Sequence, residues 1–433
     1  MKKNVIALSL VLTMLLSVLT GCGGNKNNAA ANAGANGNEG KDAAGDGTEI
    51  TLMIPDWGAP TEEMLAEFKD ETGITVKVLP TSWDDTKSKV SIASAAGNAP
   101  ADVIEVDWSW AGEFVSAGWL EALDVDEDTK KDIPSISYFD FDNKVYAVPY
   151  ANGLRLAYMN QEMTKKAGIE KDPTNWAELE DAFKKLKESG VVEYPYLFPL
   201  AAEEKTTTSF MSVAYTRNGK IFNDDDTLNK ESILDALTLI DDMVKKGYIN
   251  PDSVSIAGID TFRGINNAEG AFLFGPTSFI TSSNNPESSK VVGQVTTIPM
   301  PSKEGPAENT ISFTEAVGVS AFSENKEAAK KFVEWFSRPE TQLALNKAID
   351  NTPTRTSVIE KMVDEGIIKT PGSIVEQSKI VNTPFPNGVP KYYTKMSTEI
   401  FNLINQMGQG KITPEQAADQ MVEKVDQLVE ENK

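Results

Sequence analysis

Tryptophan and carboxylate side chains occur together where three short apolar segments end. Trp57 follows the first segment, residues 82–85 (SWDD) follow the second, and residues 107–110 (DWSW) follow the third. An indole offers a flat apolar face, and a carboxylate accepts hydrogen bonds from hydroxyl groups. A sugar has an apolar CH face and a rim of hydroxyl donors, so this combination predicts a carbohydrate site. The candidate residues at these positions are Trp57, Trp83, Asp84, Asp107 and Trp108.

Packing at a domain edge is the alternative interpretation of each indole. Trp110 and Trp119 favour it, because Phe114, Val115 and Trp119 continue an apolar helical stripe. Trp108 directly follows Asp107 at a strand end, which favours contact with a ligand.

The elements that must position these residues alternate between strand and helix. Residues 50–54 are an apolar strand, and Thr61 is placed to cap a helix that ends at Gly73. Residues 74–78 and 102–106 are further strands, with a helix at 90–96 between them. This order predicts an α/β fold with a parallel or mixed sheet covered by helices on both faces. Ligands of such sheets lie beyond the carboxyl ends of the strands.

The central stretch, residues 143–160, contains two alternating apolar patterns on either side of Asn152 and Gly153. Asn-Gly is a strong turn signal, so a β-hairpin is one interpretation. The other is that the chain crosses here from one lobe to a second. Asn152 and Arg155 would then lie at the bottom of a cleft.

Later segments add candidates of lower specificity. Residues 270–279 predict a buried strand and a Gly-Pro turn that displays Thr277, Ser278 and Phe279. Glu315 precedes an apolar strand at 316–322, and residues 194–199 (YPYLFP) read as an aromatic loop with weak ligand candidates at Tyr196 and Phe198.

Two further helices carry packing signals. Trp176 lies on an apolar helical stripe and is predicted to be core. Thr413, Pro414 and Gln416 form the pattern of a capping box at the start of a C-terminal helix.

The composition excludes several chemistries. The chain has no histidine, which removes His-based triads and the commonest transition-metal ligand. A formal net charge of −23 disfavours nucleic acid as a partner. No phosphate-binding glycine loop appears, and residues 124–135 lack the glycine and glutamate of a calcium loop. We therefore predict no cofactor, no metal and no catalytic residue, although a carboxylate pair such as Asp84 and Asp107 could serve a glycosidase.

The N-terminus predicts an exported protein. Lys2 and Lys3 precede an apolar run at 5–19 that is too short to span a bilayer comfortably. Residues 19–22 (LTGC) resemble the lipobox of bacterial lipoproteins, and Cys22 is the single cysteine of the chain. We predict a signal peptide at 1–21, lipid attachment at Cys22 and a flexible tether at 22–48. The protein would be anchored by lipid on the extracellular face of the cell membrane.

Taken together, these segments resemble the extracellular solute-binding proteins of ATP-driven sugar importers, in particular the maltose-binding branch. The likeness rests on the order of the lipobox, the tether, VYAVPY…LAYMN, AFLFGPTSF, VGVSAFSENKEAAKKFVEWFSRPETQLAL and ITPEQAADQMVEKVDQL. It implies two α/β lobes joined at a hinge, with sugar held in the cleft. Lobe 1 would comprise 49–151 and 309–351, and lobe 2 would comprise 152–308 and 352–433.

The resemblance also suggests roles for particular residues. Asp107 and Trp108 match the acid and aromatic region of the cleft, and Asn152 falls where relatives place a polar contact. Thr277 and Phe279 fall where many relatives have Trp. Arg155 would either contact ligand or pair with Glu105 or Asp107.

The implied function is a monomeric receptor that binds a carbohydrate, an oligosaccharide in our prediction, and delivers it to the transmembrane permease subunits of an ABC transporter. A carboxylate-dependent carbohydrate-active enzyme and a cell-surface sugar sensor without a transport role are the alternatives.

Overall fold

A computed structural model describes residues 47–433. The signal peptide, Cys22 and nearly all of the predicted tether lie outside the described residues. The strands are β1 (Glu49–Pro55), β2 (Thr75–Thr81), β3 (Val103–Asp107), β4 (Asp140–Phe141), β5 (Lys144–Val145), β6 (Val148–Ala151), β7 (Arg155–Asn160), β8 (Tyr196–Leu197), β9 (Phe272–Pro276), β10 (Val295–Ile298) and β11 (Glu315–Val319). The helices are α1 (Glu62–Thr72), α2 (Trp83–Ala95), α3 (Ala111–Ser116), α4 (Glu127–Asp132), α5 (Gln161–Lys166), α6 (Trp176–Glu188), α7 (Glu204–Asn218), α8 (Lys230–Lys245), α9 (Gly258–Arg263), α10 (Ser278–Ser282), α11 (Lys326–Phe336), α12 (Pro339–Ile349), α13 (Thr356–Asp364), α14 (Ile374–Lys379), α15 (Tyr393–Gly408) and α16 (Pro414–Glu431).

Two mixed sheets, each flanked by helices, form two lobes. Sheet 1 has the strand order β2-β1-β3-β11-β6, in which β1 is parallel to β2 and β3. Strand β11 is antiparallel to both β3 and β6. Sheet 2 has the order β10-β7-β9-β8. The α/β class and the mixed sheets predicted from the alternating pattern are confirmed.

Local capping chemistry sets several helix ends as the sequence predicts. The Thr61 side chain accepts a hydrogen bond from the Met64 amide at the start of α1, and Gly73 ends that helix in the left-handed region with φ 73°. The capping box of Thr413 and Gln416 opens α16.

Three crossing segments connect the lobes: residues 151–154, 311–314 and 351–355. The first runs from β6 in sheet 1 to β7 in sheet 2, so the central stretch is a crossing and not a hairpin. The second leads from sheet 2 into β11. The hydrogen bond from the Asn152 amide to the Thr352 carbonyl, 2.9 Å, joins the first segment to the third.

The core continues from one lobe to the other. One cluster of buried side chains contains Ile104 and Val106 of sheet 1 together with Phe272 and Phe274 of sheet 2. Two further clusters cover the opposite faces of the sheets. The cluster on sheet 1 contains Phe332, and the cluster on sheet 2 contains Phe262.

Candidate functional site

Three carboxyl groups share one face of sheet 1 where β3 and β11 meet. Asp107 lies directly opposite Glu315 in the antiparallel pair, and Glu105 precedes Asp107 by two residues on β3. Opposed residues of an antiparallel pair project to the same side, as do residues i and i+2 of a strand. We call Glu105, Asp107 and Glu315 the acidic face.

Burial controls the protonation of the acidic face. It raises the pKa of Glu105 to about 8 and raises the pKa of Asp107 above its ordinary value. Burial also raises the pKa of Glu315 well above its usual range, and the adjacent carboxyls Asp107 and Glu105 add to the effect. At neutral pH the cluster therefore retains protons, and it can both donate and accept hydrogen bonds.

Few protein donors reach these carboxyls. The Tyr150 hydroxyl donates to Glu105 Oε2 at 2.9 Å. Asp107 accepts from the Ser109 amide at 2.7 Å, from the Ser109 hydroxyl, and from Trp83 Nε1 at 3.3 Å. Glu105 Oε1 and Glu315 Oε2 are buried and have no hydrogen-bond partner. The acidic face thus keeps free acceptors.

Two open indoles lie in the segments next to the acidic face. Trp83 begins α2 after the Ser82 cap, and 37% of its surface is exposed although its ring packs on Trp110 at 4.9 Å. Trp57 is 48% exposed. Its neighbour Gly58 lies so close to Tyr150 that an added Cβ would stand 2.2 Å from the hydroxyl that bonds Glu105. The side chain of Asp84 lies outside the described part of the structure.

Trp108 is enclosed by protein rings. It is 4% exposed, and its ring lies 4.6 Å from both Phe313 and Tyr393. Tyr138 and Phe385 lie 6.0 and 6.2 Å from it. In this conformation Trp108 therefore presents its faces to protein aromatics, whereas Trp83 keeps part of its ring open.

The contacts of Trp108 belong to a seam between sheet 1 and the C-terminal helices. Lys87 of α2 donates to Thr394 of α15 at 3.1 Å. A Cβ added to Gly112 would stand 1.7 Å from the Val389 carbonyl oxygen. Sheet 1 and the C-terminal helices are therefore in close contact along this seam.

Asn152 fastens the three crossing segments together. Its Oδ1 accepts from the Leu154 amide and the Ser312 hydroxyl, both at 2.9 Å, and its Nδ2 donates to the Pro353 carbonyl at 3.0 Å. The Thr277 hydroxyl donates to the Asn152 carbonyl at 2.5 Å. Much of the hydrogen-bonding capacity of Asn152 and Thr277 therefore serves the crossing.

Arg155 is buried at the crossing without a carboxylate partner. It donates to the Gly153 carbonyl at 3.1 Å and approaches the Thr208 hydroxyl at 3.5 Å, and its guanidinium carbon lies 4.7 Å from the Phe313 ring centroid. Burial lowers its pKa to about 10. The alternative of a pair with Glu105 or Asp107 is wrong for this conformation. Its buried Nε has no partner and remains a free donor.

The residues of the turn after β9 differ in their exposure to solvent. Ser278 is exposed at the start of α10, whereas Phe279 is buried against Tyr158 at 6.3 Å and Phe262 at 6.1 Å. The structure does not bring the Phe279 ring to the acidic face.

The YPYLFP segment is not an irregular loop. It contains β8, and Tyr196 is buried with its ring stacked on Phe183 at 5.2 Å. Phe198 is also buried. Their aromatic rings fill the core of the second lobe, so the loop interpretation was wrong.

A fourth carboxyl on α7 was not found from the sequence. Glu204 accepts from the Tyr393 hydroxyl at 2.6 Å and the Ser397 hydroxyl at 2.5 Å. Burial raises its pKa to about 7, and the negative charge of Asp107 contributes to the rise. Helix α7 is buried on nearly all sides, so it lacks the amphipathic pattern that would mark it. The sequence did contain a signal for Glu105, because this acidic residue lies inside the apolar strand VIEVD.

The arrangement suits binding of a polar ligand with an apolar face. Within residues 47–433 no group of three or more acidic, cysteine or histidine side chains is arranged to hold a metal ion. None of the helices in that range is both long enough and apolar enough to cross a membrane.

Comparison with known proteins gives relatives along most of the chain. A putative binding protein of Brucella abortus (strain 2308) is 29% identical over 308 residues, which cover 68% of this chain and 73% of that protein. The putative ABC transporter periplasmic-binding protein YcjN of Escherichia coli (strain K12) is 23% identical, with 86% of this chain and 90% of that protein covered.

Solved structures share the fold. The sugar-binding protein MalE from Xanthomonas citri superposes with a TM-score of 0.75 at 20% identity, covering 89% of this chain and 98% of that chain. Maltose-bound MalE3 of T. maritima gives a TM-score of 0.71 at 22% identity, covering 88% and 100%. These likenesses confirm the two-lobed fold of periplasmic binding proteins.

A family model described as "Bacterial extracellular solute-binding protein" matches residues 63–372. This match covers well over half of the chain and confirms the resemblance seen in the sequence. The chain belongs to the bacterial extracellular solute-binding protein family.

Proposed function

We propose that this protein is the substrate-binding component of an ABC importer, that it binds a carbohydrate between its lobes, and that it delivers this ligand to the permease subunits. The observation that carries the proposal is the acidic face with the partly open indole of Trp83 hydrogen-bonded to Asp107. Carboxyl groups bind sugar hydroxyls, and an indole covers the apolar face of a pyranose ring. The names of several relatives, including MalE of Xanthomonas citri, support a sugar ligand.

The same geometry supports binding without catalysis. A glycosidase separates its two carboxyl groups by about 5 to 9.5 Å so that they flank the scissile bond. Here Glu315 lies directly opposite Asp107, and Glu105 lies on the same side of the sheet two residues before Asp107, so the three groups form one cluster on a single side. We infer that the ligand leaves the protein chemically unchanged.

A ligand screen tests the proposal. Thermal-shift measurements over mono- and oligosaccharides, both neutral and charged, should identify a stabilising sugar, because a ligand that binds only the folded state raises its stability. Calorimetry then gives the affinity, and chromatography of the recovered sugar shows whether it has been cleaved. The absence of any stabilising saccharide would contradict the proposal, and cleavage would favour the enzyme alternative.

A matched pair of variants locates the site. Trp83→Ala should weaken sugar binding by about 2 kcal/mol, in the range of an interface anchor, with a small loss of stability. Trp119→Ala is the control, because Trp119 packs on Phe114 at 5.4 Å and has no hydrogen bond to the acidic face. Equal affinities of the two variants would place the sugar elsewhere.

We also propose that residues 49–151 and 309–351 form lobe 1, that 152–308 and 352–433 form lobe 2, and that the protein is a monomer anchored through Cys22. The lipobox-like LTGC sequence supports the anchor. Cys22→Ala should move the protein from the membrane fraction to the soluble fraction. A variant that stays with the membrane would contradict lipid attachment.

A further inference from the structure

The acidic face lacks a positive counterpart. No ion pair in residues 47–433 includes Glu105, Asp107 or Glu315, although that part of the chain contains many. Lys87, on the neighbouring helix α2, pairs with Glu113 at 2.8 Å. Arg155 is directed to the Gly153 carbonyl, and Glu204 brings a further carboxyl from the second lobe. Buried carboxylates without a cation are costly, because desolvation penalises the charged form.

Two carboxyl oxygens of the acidic face have no hydrogen-bond donor. Glu105 is fully buried, yet its Oε1 accepts no hydrogen bond. The Oε2 atom of the half-buried Glu315 is also buried and has no hydrogen-bond partner. The donors that face the cluster are the Tyr150 hydroxyl, Ser109 and Trp83 Nε1, and they serve only Glu105 Oε2 and Asp107. The cluster therefore has more acceptors than donors. Burial raises the pKa of Glu315 well above its usual range, so a proton on Glu315 can supply the missing donor when no ligand is bound.

The indole next to Asp107 leaves room for a ligand beside this carboxyl. Trp83 donates its Nε1 to Asp107, while part of its ring stays open to solvent. An ammonium group beside Asp107 would have three N–H donors for the carboxyl oxygens, and the open part of the Trp83 ring could cover the apolar carbons that carry the amine.

From these observations we propose that the ligand carries a protonated amine, as an amino sugar does, and that this ammonium binds the acidic face in place of the proton on Glu315. The inference rests on the proposed carbohydrate function and deepens it. On binding, the charged amine enters and the proton on Glu315 leaves to solvent. A neutral sugar of the same shape would leave that proton in place.

Matched ligands test the charge directly. Glucosamine, N-acetylglucosamine and glucose differ at one position by an ammonium, an acetamide or a hydroxyl group, and galactosamine and the β-1,4-linked dimers give parallel sets. At about pH 6, where amines are protonated, the ammonium member of a set should bind at least tenfold more tightly than its neutral counterparts. Calorimetry in buffers of different ionisation enthalpy should show proton release for the ammonium member alone.

A carboxyl variant gives the matched control. Glu315→Gln keeps the shape of the side chain but cannot release a proton and become negatively charged when the ammonium binds, so the ratio of ammonium to neutral affinity should fall towards one. Glu121→Gln removes a carboxyl paired with Lys326 at 2.7 Å and should leave the ratio unchanged.

The outcomes separate the two proposals. Neutral sugars that bind as tightly as the amines overturn the amine inference and leave the carbohydrate function in place. Failure of every amino sugar to bind overturns the inference as well. Failure of all saccharides, neutral and charged, overturns the carbohydrate function itself.

Discussion

Gly153 lies against the carbonyl oxygen of Phe313, so that a Cβ added to Gly153 would stand 1.6 Å from that oxygen. The two residues belong to different crossing segments and are joined by a 3.2 Å hydrogen bond from the Phe313 amide to the Gly153 carbonyl. Only a residue without a side chain permits this approach of two backbones.

Gly153→Ala is therefore expected to destabilise the protein, by about 3 kcal/mol or more, because both backbones must shift. Denaturant unfolding measures the effect. Gly305→Ala is the control, since a Cβ at Gly305 meets no atom within 4 Å and its backbone has no positive φ. Equal stabilities of the two variants would contradict the close contact at the crossing.

Gly112→Ala should impair closure of the lobes. The added Cβ would overlap the Val389 carbonyl oxygen, so sheet 1 and the C-terminal helices could no longer approach each other this closely across the seam. The open state would gain population, so the radius of gyration from solution scattering should increase and ligand affinity should decrease. A scattering curve identical to that of the unchanged protein would show that the seam does not control closure.

Stability should depend on the protonation of Glu105. Burial raises the pKa of Glu105 to about 8 in the folded protein, whereas an unfolded glutamate titrates at about 4.3. The folded state thus binds the extra proton, so this contribution is complete below about pH 4.3 and is lost as the pH rises through about 8. The free energy of unfolding should fall by a few kcal/mol over this range.

Glu105→Gln should flatten this pH dependence, because the amide cannot ionise. Glu121→Gln, which removes a carboxyl paired with Lys326, serves as the control and should leave the slope intact. The measurement is a series of denaturant melts between about pH 5 and 8. A slope that persists in Glu105→Gln would assign the titration to other groups.

Trp108→Ala should affect both folding and binding. Trp108 contacts Phe313 and Tyr393 and is as buried as Trp176, so truncation of either should cost about 3 to 5 kcal/mol of stability. Because Trp108 follows Asp107, its loss should also weaken binding, whereas folded Trp176→Ala should retain its affinity. Denaturant melts and calorimetry measure the two effects. Normal stability of Trp108→Ala would contradict the packing of the ring.

Features set by local chemistry were predictable from the sequence. The Thr61 cap, the end of α1 at Gly73 and the Thr413 capping box each depend on residues within one or two turns. The alternation around Asn152 was also visible, but alternation alone does not decide which sheet receives each strand. That choice depends on β11, which is more than 150 residues distant in sequence.

The candidate site could be predicted only in part, because its geometry also depends on contacts between residues that are distant in sequence. Asp107 and Glu315 were found as residues at strand ends, but their direct opposition is a property of strand register. The enclosure of Trp108 depends on Tyr393, which no local pattern could reveal. Glu204 lies on a buried helix of polar and small residues, where hydrophobic periodicity gives no signal.

The position of β11 has a consequence for biosynthesis. Sheet 1 needs β11 between β3 and β6, so its hydrogen-bonding ladder is incomplete until Val319 has been synthesised. Until then β3 and β6 each keep an unpaired edge, which can associate with other chains. Contacts so distant in sequence also form slowly. The first lobe therefore cannot complete its sheet before Val319 has been added, and its folding must wait until the greater part of the chain has been made.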